Sequence, residues 1–337
     1  MRSVLVSMLV NMGDVVMMTS ALNLLRKHFP GIKTGVLVRP ESVDIVQNNP
    51  AVDQVIVYPY KSGSPLRGLG RLIRTIKKGQ YDCFFSLDRR PRGAAAALLA
   101  GVRSRIGPEL LFEGSRPAFW TKLLFTRIVP MNDDDCRGSQ VDMFQLPLRR
   151  AFNLAGPGHI TLPPVKPATA EKVAALFANA SGPVIGLGVK TNDPAKTWPA
   201  DRYPLLIKRL KAELGAVIYI IGSPADRPYT ENILRAAGQP DGVLNLAGRT
   251  SLEDLMALAP RTDLALMLDN GATHLMANSG LKRLICLLVG TTTEKIEDSM
   301  PQARFIQVSA STEPKVVEAE IDLVFRAVSD LLNHPED

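Results

Sequence analysis

Short β-branched apolar runs alternate along this chain with longer stretches whose apolar residues recur every three or four positions. The first spacing predicts buried strands, the second helices with one apolar stripe. From the N-terminus the pattern gives a strand at Ser3–Val10, a helix at Val15–His28, a strand at Lys33–Val38, a helix at Ser42–Asn48 and a strand at Gln54–Tyr58. A helix at Leu66–Lys78, a strand at Tyr81–Leu87 and an alanine-rich helix at Gly93–Leu99 continue the rhythm. It resumes with a helix from Thr169 and strands at Pro183–Leu187, Ala216–Ile221, Leu264–Leu268 and Arg283–Val289. The helices of this second series are Tyr203–Leu214, Tyr229–Ala237, Leu252–Ala259 and one after Asn270. Strands and helices in alternation mean parallel sheets flanked by helices. A last amphipathic helix, Pro314–Leu332, carries Val317, Ile321, Val324 and Val328 on one stripe.

Between the two series, Gly156-Pro157-Gly158 and Pro163-Pro164-Val165-Lys166-Pro167 interrupt any regular element and mark a linker. At 337 residues the chain has room for two domains of ordinary size. The expected organisation is α/β, with doubly wound Rossmann-like domains at residues 1–160 and 165–312 and a closing helix at 313–337. With 46% hydrophobic and 22% charged residues, the composition excludes a disordered or fibrous chain. No run approaches the roughly 18 uninterrupted apolar residues of a membrane span. The apolar opening is broken by Asn11 and Asp14, so no signal peptide and a cytoplasmic location are expected. Cys83, Cys136 and Cys286 lie too far apart for a disulfide framework or a zinc site.

The distribution of charge adds more. Residues 1–150 hold 22 Lys and Arg against 12 Asp and Glu, a net +10, whereas residues 151–337 hold 18 against 21, a net −3. Such asymmetry is either solvated surface charge or a sign that the N-terminal half meets something anionic: a phosphorylated substrate, a membrane surface or nucleic acid. Nucleic acid ranks last, because aromatic residues make up only 6% of the chain and do not interleave with the basic ones. Arg67, Arg71, Arg74 and Lys78, spaced by four and three, form a basic helical face opposite Leu69, Leu72, Ile73 and Ile76.

Ligands of open α/β sheets bind beyond the carboxyl ends of the strands, which directs attention to three loops. Asn11-Met12-Gly13-Asp14 places a carboxylate where the first strand meets its helix. An Asp there either caps the helix or takes a proton from an acceptor hydroxyl as general base. Lys190 to Pro199 follows the first strand of the second half, and in it Lys196 and Thr191 offer an ammonium and a hydroxyl to phosphate oxygens. Asp269-Asn270-Gly271-Ala272-Thr273-His274 leaves a strand and enters a helix, where Gly271 permits close approach and the first helical amides favour a phosphate. A plain capped helix start has the same signature, and His274 on its first turn also fits a packing role.

Taken in order, these loops resemble those of the heptosyltransferases, the ADP-heptose glycosyltransferases of the lipopolysaccharide inner core. In the first half the similarity covers Gly13-Asp14 after the opening strand, Phe29-Pro30-Gly31, Asn49-Pro50-Ala51-Val52-Asp53, the stretch from Tyr81-Asp82 to Asp88, and Gly101 to Gly107. In the second it covers Lys196-Thr197-Trp198-Pro199, Gly222 to Asp226, Asn245 to Leu252, and Asp269 to His274. Three places depart from the family. Met8-Leu9-Val10-Asn11 stands where a basic residue and small hydroxylic ones are usual, Asn270 replaces Thr or Ser, and Asn192 lies where a hydroxyl is common.

The resemblance implies the GT-B fold, two Rossmann-like domains facing a cleft with the last helix packing back on the N-terminal domain. It also implies an inverting reaction with no catalytic metal and no cofactor beyond the ADP-sugar donor. Residue by residue it implies Asp14 as general base, Lys196 as the cation that neutralises the diphosphate, Asp269 for sugar hydroxyls and Asp226 for the adenosine ribose. The amides around Asn270 and Gly271 would hold phosphate, and Gly13, Thr191, Asn192, Thr273 and His274 complete the donor site. Lysine and helix dipole together can stabilise the charge on a departing diphosphate, the task a metal performs elsewhere. Arg67, Arg71, Arg74 and Lys78 become the acceptor face, for an anionic glycan or glycolipid at the inner face of the cytoplasmic membrane. A small metabolite or protein acceptor, or a sugar-nucleotide binding protein with little catalysis, fits the same residues. An epimerase of this shape would want more cleft carboxylates and histidines, and the chain has only 4 histidines.

Overall fold

A computed structural model describes residues 1–59, 65–88, 91–110, 120–132, 134–290 and 292–334. The chain divides into two compact units, Met1–Pro164 with Glu294–Ser299, and Val165–Thr293 with Met300–Asp337. In chain order the first holds β1 (Ser3–Met8), α1 (Met12–His28), β2 (Lys33–Val38), α2 (Val43–Val46), β3 (Gln54–Val57), α3 (Pro65–Gly79) and β4 (Cys83–Ser86). It continues with α4 (Pro91–Leu99), β5 (Ser104–Leu110), α5 (Trp120–Leu124), β6 (Arg127–Met131) and α6 (Gln140–Phe152). The second holds α7 (Pro167–Ala175), β7 (Val184–Gly188), α8 (Arg202–Leu214), β8 (Val217–Ile221), α9 (Arg227–Ala236) and β9 (Val243–Asn245). It ends with α10 (Leu252–Leu258), β10 (Leu264–Leu268), α11 (Gly271–Ala277), β11 (Leu284–Val289), β12 (Ala303–Val308) and α12 (Pro314–Asn333).

Each unit is one parallel six-stranded sheet, ordered β3-β2-β1-β4-β5-β6 in the first and β12-β11-β10-β7-β8-β9 in the second. Counted within its own unit, the second sheet repeats the strand order of the first. Both are doubly wound, and the chain reverses direction across the sheet between β1 and β4 and again between β7 and β10. The strands at these reversals are apolar on both faces because helices cover both: every residue of β1, β7 and β10 is buried. In register, Val6 lies between Val36 of β2 and Phe85 of β4, and Leu266 between Leu187 of β7 and Ile285 of β11.

The structure extends the expected pattern at the sheet edges. No strand was expected for β5, β6, β9 or β12, nor a helix for α5 or α6. Each of these segments lacks a continuous apolar run: β6 carries Pro130 and mixes exposed with buried positions, β12 mixes them too, and α6 contains Pro147. Helix α12 packs on α8 and β10 within the second unit. The segment grouped with the first unit is Glu294–Ser299.

Within the first unit the linker is pinned before it leaves. The Gln145 carboxamide accepts from Gly158 N at 2.8 Å and donates to Gly158 O at 3.1 Å. A Cβ on Gly158 would stand 2.1 Å from the Ser20 carbonyl oxygen of α1, so only glycine allows this approach.

In the second unit a buried polar knot ties α12 to the loop after β7. Trp198 is fully buried against Tyr203, edge to face at 5.1 Å, and its indole Nε1 donates to Glu320 Oε2 at 3.1 Å. Arg202, only 1% exposed, places Nε 3.4 Å from the same oxygen and donates to Ser311 O, while Ser309 N donates to Glu320 Oε1 at 2.7 Å. Removing one member of a buried ion pair leaves the other charge uncompensated, at a cost of about 3–5 kcal/mol. Glu320→Ala should therefore lose stability of that order in urea denaturation, and Glu320→Gln, which keeps the acceptor for Trp198, should lose less. Equal stability of all three proteins would contradict the role given to this knot.

Candidate active site

The three loops singled out in the sequence all emerge at the two reversal points. In the first unit, β1 leads into Leu9–Asn11 and β4 into Asp88. Asp88 is buried, and its Oδ2 accepts from Ser7 Oγ at 2.5 Å and from Leu9 N at 2.8 Å, which holds the start of the β1–α1 loop against β4. Of the residues that depart from the family here, Met8 and Leu9 are buried in the core, Val10 is half-buried and Asn11 is exposed. Asn11 occupies the N-cap position, and α1 begins at Met12. Asp14 is thus the third helical residue, half-buried in the first turn, and not the cap that was one reading of it. Gly13 is buried beside it.

The basic face appears as expected. Arg67, Arg71, Arg74 and Lys78 are exposed on α3, while Leu72 and Ile76 are buried on its opposite side and Leu69 and Ile73 are half-buried.

In the second unit, β7 runs out at Lys190 and β10 at Asp269. Lys196 Nζ lies 3.6 Å from Asp269 Oδ2, and His274 Nε2 lies 3.3 Å from Asp269 Oδ1. Asp269 and His274 are largely shielded, and the Lys196 side chain is 39% exposed. Burial by itself raises the carboxyl pKa of Asp269, but His274 and Lys196 outweigh it and hold it below the usual Asp value. A second pair stands beside the first. Lys190 Nζ is 2.8 Å from Asp226 Oδ1 and lies over the Tyr229 ring at 5.5 Å. The other oxygen of Asp226 accepts from Ser223 N at 2.9 Å and from Ser223 Oγ at 2.6 Å. Burial raises the Asp226 pKa, yet Lys190 and Ser223 bring it below the usual value.

The remaining predicted residues divide into those that shape the site and those that face away from it. Asn270 caps α11, its Oδ1 accepting from Ala272 N at 2.9 Å and Thr273 N at 3.1 Å, and its Nδ2 donating to Lys190 O at 3.1 Å. Two of the amides expected to meet phosphate are therefore occupied by the Asn270 side chain, and that same side chain ties the two loops together. Thr273 is fully buried and donates its hydroxyl to Leu268 O, so it anchors the helix start. Thr191 is likewise turned to its own loop, donating to Asp193 O at 2.6 Å and accepting from Asp193 N at 3.1 Å. Asn192 is exposed, and Gly271 is the half-buried first residue of α11. Sequence reasoning gave no role to Lys190 or Asp88; each is among the first residues past a buried strand at a reversal point, the signal that identifies them. A groove of about 630 Å³ between α9 and β9, lined by Arg227, Glu231, Arg235 and Arg249, does not include Lys196 or Asp269.

Chemically, this edge offers two ammonium groups, each balanced by a carboxylate, and acceptor oxygens that can receive hydroxyl protons. It suits an anionic, hydroxyl-rich ligand. Among the described residues no group of three or more His, Cys, Asp and Glu side chains could hold a metal ion.

A pH measurement checks the Asp269 cluster. Because the folded pKa of Asp269 lies below its unfolded value, its ionised form contributes stability that is complete above about pH 4 and is lost as pH falls through the lowered value. The stability difference between wild type and Asp269→Asn in urea should accordingly be largest near neutrality and shrink below about pH 4. A difference that grows on acidification would contradict the pairing.

Comparison with known proteins agrees with this layout. The pattern of "Glycosyltransferase family 9 (heptosyltransferase)" matches residues 69–322. Lipopolysaccharide heptosyltransferase 3 of Escherichia coli is 22% identical over 273 residues, covering 79% of this chain and 77% of the relative. Among solved structures, the ADP-heptose lipopolysaccharide heptosyltransferase II of E. coli superimposes with a TM-score of 0.82 at 20% identity, over 100% of both chains. An E. coli heptosyltransferase solved with ADP gives a TM-score of 0.74 at 18% identity, over 96% of this chain and 99% of that one. With two doubly wound units of the GT-B type and a family match over most of its length, the chain belongs to glycosyltransferase family 9, the heptosyltransferases, and is a glycosyltransferase.

Proposed function

We propose that this protein moves a heptose, or a closely related sugar, from an ADP-sugar to an acceptor hydroxyl in the assembly of a lipopolysaccharide core or related glycan, with inversion and without a metal. The observation that carries this reading is Lys196, held 3.6 Å from Asp269 where the second sheet reverses. The relatives named for lipopolysaccharide heptosyl transfer, and the ADP in one matching structure, support the choice of donor.

In this reading the diphosphate displaces Asp269 from Lys196, and the lysine then faces charge that grows as the bond to the sugar breaks. Asp269, freed on that side, accepts from sugar hydroxyls, and His274 keeps it oriented. Asp226 receives the ribose hydroxyls, with Lys190 beside it as a second cation. The acceptor oxygen forms its bond to the anomeric carbon on the face opposite the diphosphate, the carbon–oxygen bond to phosphate breaks, and ADP leaves with the electron pair. The acceptor proton goes to Asp14. Arg67, Arg71, Arg74 and Lys78 draw in an anionic acceptor, and the protein works in the cytoplasm on substrates presented at the inner face of the membrane. No helix among the described residues is long and apolar enough to cross a membrane.

The role of Asp14 yields the direct test. Asp14→Asn keeps the size of the side chain and removes its negative charge from the first turn of α1, a contribution of about 0.3–1 kcal/mol. With ADP-heptose and a core acceptor, this variant should fold, keep its donor affinity and lose turnover by roughly 10²–10⁴. Near-normal kcat would remove Asp14 from the chemistry.

A further inference from the structure

The outer surface of the first unit carries more cations, and more exposed apolar side chains, than the four basic residues assigned to the acceptor. Helices α3, α4 and α5 pack side by side, α3 on α4 and α4 on α5, and form one layer over the sheet. Their inner faces supply Leu72, Ile76, Ala94, Ala96, Ala97 and Leu124 to a single apolar cluster with Leu5, Leu37 and Phe84. Toward solvent, Arg67, Arg71, Arg74, Lys77 and Lys78 of α3, Arg92 of α4 and Lys122 of α5 are all exposed. Residues 65–79, 91–103 and 120–127 contain no Asp or Glu. None of these seven basic side chains has a carboxylate partner among the described residues. On the other side of the same unit the arginines of α6 are paired, Arg149 with Asp142 and Arg150 with Asp135, so the cationic layer is not a general property of the unit.

Amid this charge stand large apolar side chains. Leu98 is 37% exposed, Leu99 61% and Leu123 68%. All three lie near the C-terminal ends of α4 and α5, adjacent helices that run back antiparallel to the strands, so their C-terminal ends fall at the same edge of the sheet. Single exposed leucines are ordinary; three on neighbouring helices within an acid-free cationic layer are not. A dissolved polyanion would use the cations and leave the leucines in water. An anionic bilayer surface satisfies both, with headgroups for the ammonium and guanidinium groups and the acyl boundary for the leucines.

We infer that the α3–α4–α5 layer docks on an anionic lipid bilayer, with Leu98, Leu99 and Leu123 entering the headgroup boundary. This deepens the proposed function by adding a partner at the acceptor-binding unit. It rests on that reading only for its purpose, because the binding itself requires neither donor nor acceptor.

Sedimentation of the full chain with vesicles tests it. The vesicles are phosphatidylcholine alone or phosphatidylcholine with about one third phosphatidylglycerol, free of any glycan, at low and at physiological salt. The wild type should pellet with the anionic vesicles, and more weakly at higher salt. Leu99→Gln/Leu123→Gln should lower the partition coefficient about tenfold or more. Lys77→Gln/Arg92→Gln/Lys122→Gln, which spares the residues assigned to the acceptor, should lower it about a hundredfold, at roughly fivefold per basic residue. All these positions are exposed, and an unchanged urea midpoint confirms that each variant folds. Three outcomes would overturn the inference: no wild-type binding to anionic vesicles, equal binding to neutral ones, or a leucine variant that binds like wild type while the charge variant does not. The last would assign the layer to a soluble polyanion. Since no sugar is transferred in this assay, loss of the transferase reading would leave its result standing, and the reverse also holds.

Discussion

A lysine and an aspartate from distant parts of the chain meet where two buried strands end, and the chemistry of the second unit depends on that meeting. Lys196 reaches Asp269 only because β7 and β10 are neighbours in the sheet, a consequence of the crossover that returns the chain to the opposite side of β7 after β9. Apolar residues on both faces drive these strands into the core, and the first polar side chains beyond them emerge together at one edge. Left alone, a shielded carboxylate would favour its neutral form; with Lys196 and His274 beside it, Asp269 stays ionised. The Lys190–Asp226 pair repeats the device a short way along the same edge, and Asn270 links the two loops by donating to the Lys190 carbonyl. Charge balance within the protein therefore precedes any ligand. In the proposed function, an incoming diphosphate would exchange one anionic partner of the lysine for another, and no cation would have to be carried in with it.

The first unit uses the same fold for a different electrostatic purpose. Its reversal point presents Asp14 in the first turn of α1, and the loop that leads there is fixed by the buried Asp88 through Ser7 and Leu9 N. Away from that point the unit collects the positive charge of the chain, and α3 displays it without carboxylate partners among the described residues. The N-terminal excess of +10 over residues 1–150 is thus partly a surface of defined shape and not diffuse solvation. The site of the second unit balances its lysines with carboxylates, whereas the α3–α4–α5 layer of the first carries cations that have no carboxylate partner among the described residues.

Much of this was legible in the sequence, and the reasons for the rest are physical. Central strands such as Lys33–Val38 and Leu264–Leu268 announce themselves because burial on two faces demands continuous apolar residues, and the structure places both at those bounds. Edge strands are not under that demand. β6 tolerates Pro130 and exposed positions, and β9 has no fully buried residue, so neither leaves a periodic trace. Helix α1 begins three residues before the expected start because Met12 and Gly13 extend the helix up to Asn11, which moves Asp14 from the cap into the first turn. The site loops were legible as loops after strands. Their hydrogen bonding was not: that Asn270 would occupy two helical amides, or that Thr191 and Thr273 would turn to the backbone, depends on side-chain rotamers that no spacing encodes.

The central claim is that protein cations, Lys196 foremost, receive a nucleotide diphosphate at the edge of the second sheet. Calorimetric titration of ADP and AMP into the wild type and Lys196→Ala, all in excess EDTA, tests it most directly. A charged partner for the second phosphate contributes about 1.5–3 kcal/mol, so ADP should bind the wild type about tenfold to a hundredfold more tightly than AMP, and Lys196→Ala should erase most of that preference. Equal affinities for the two nucleotides, a preference untouched by Lys196→Ala, or ADP binding that appears only after magnesium is added would contradict the account.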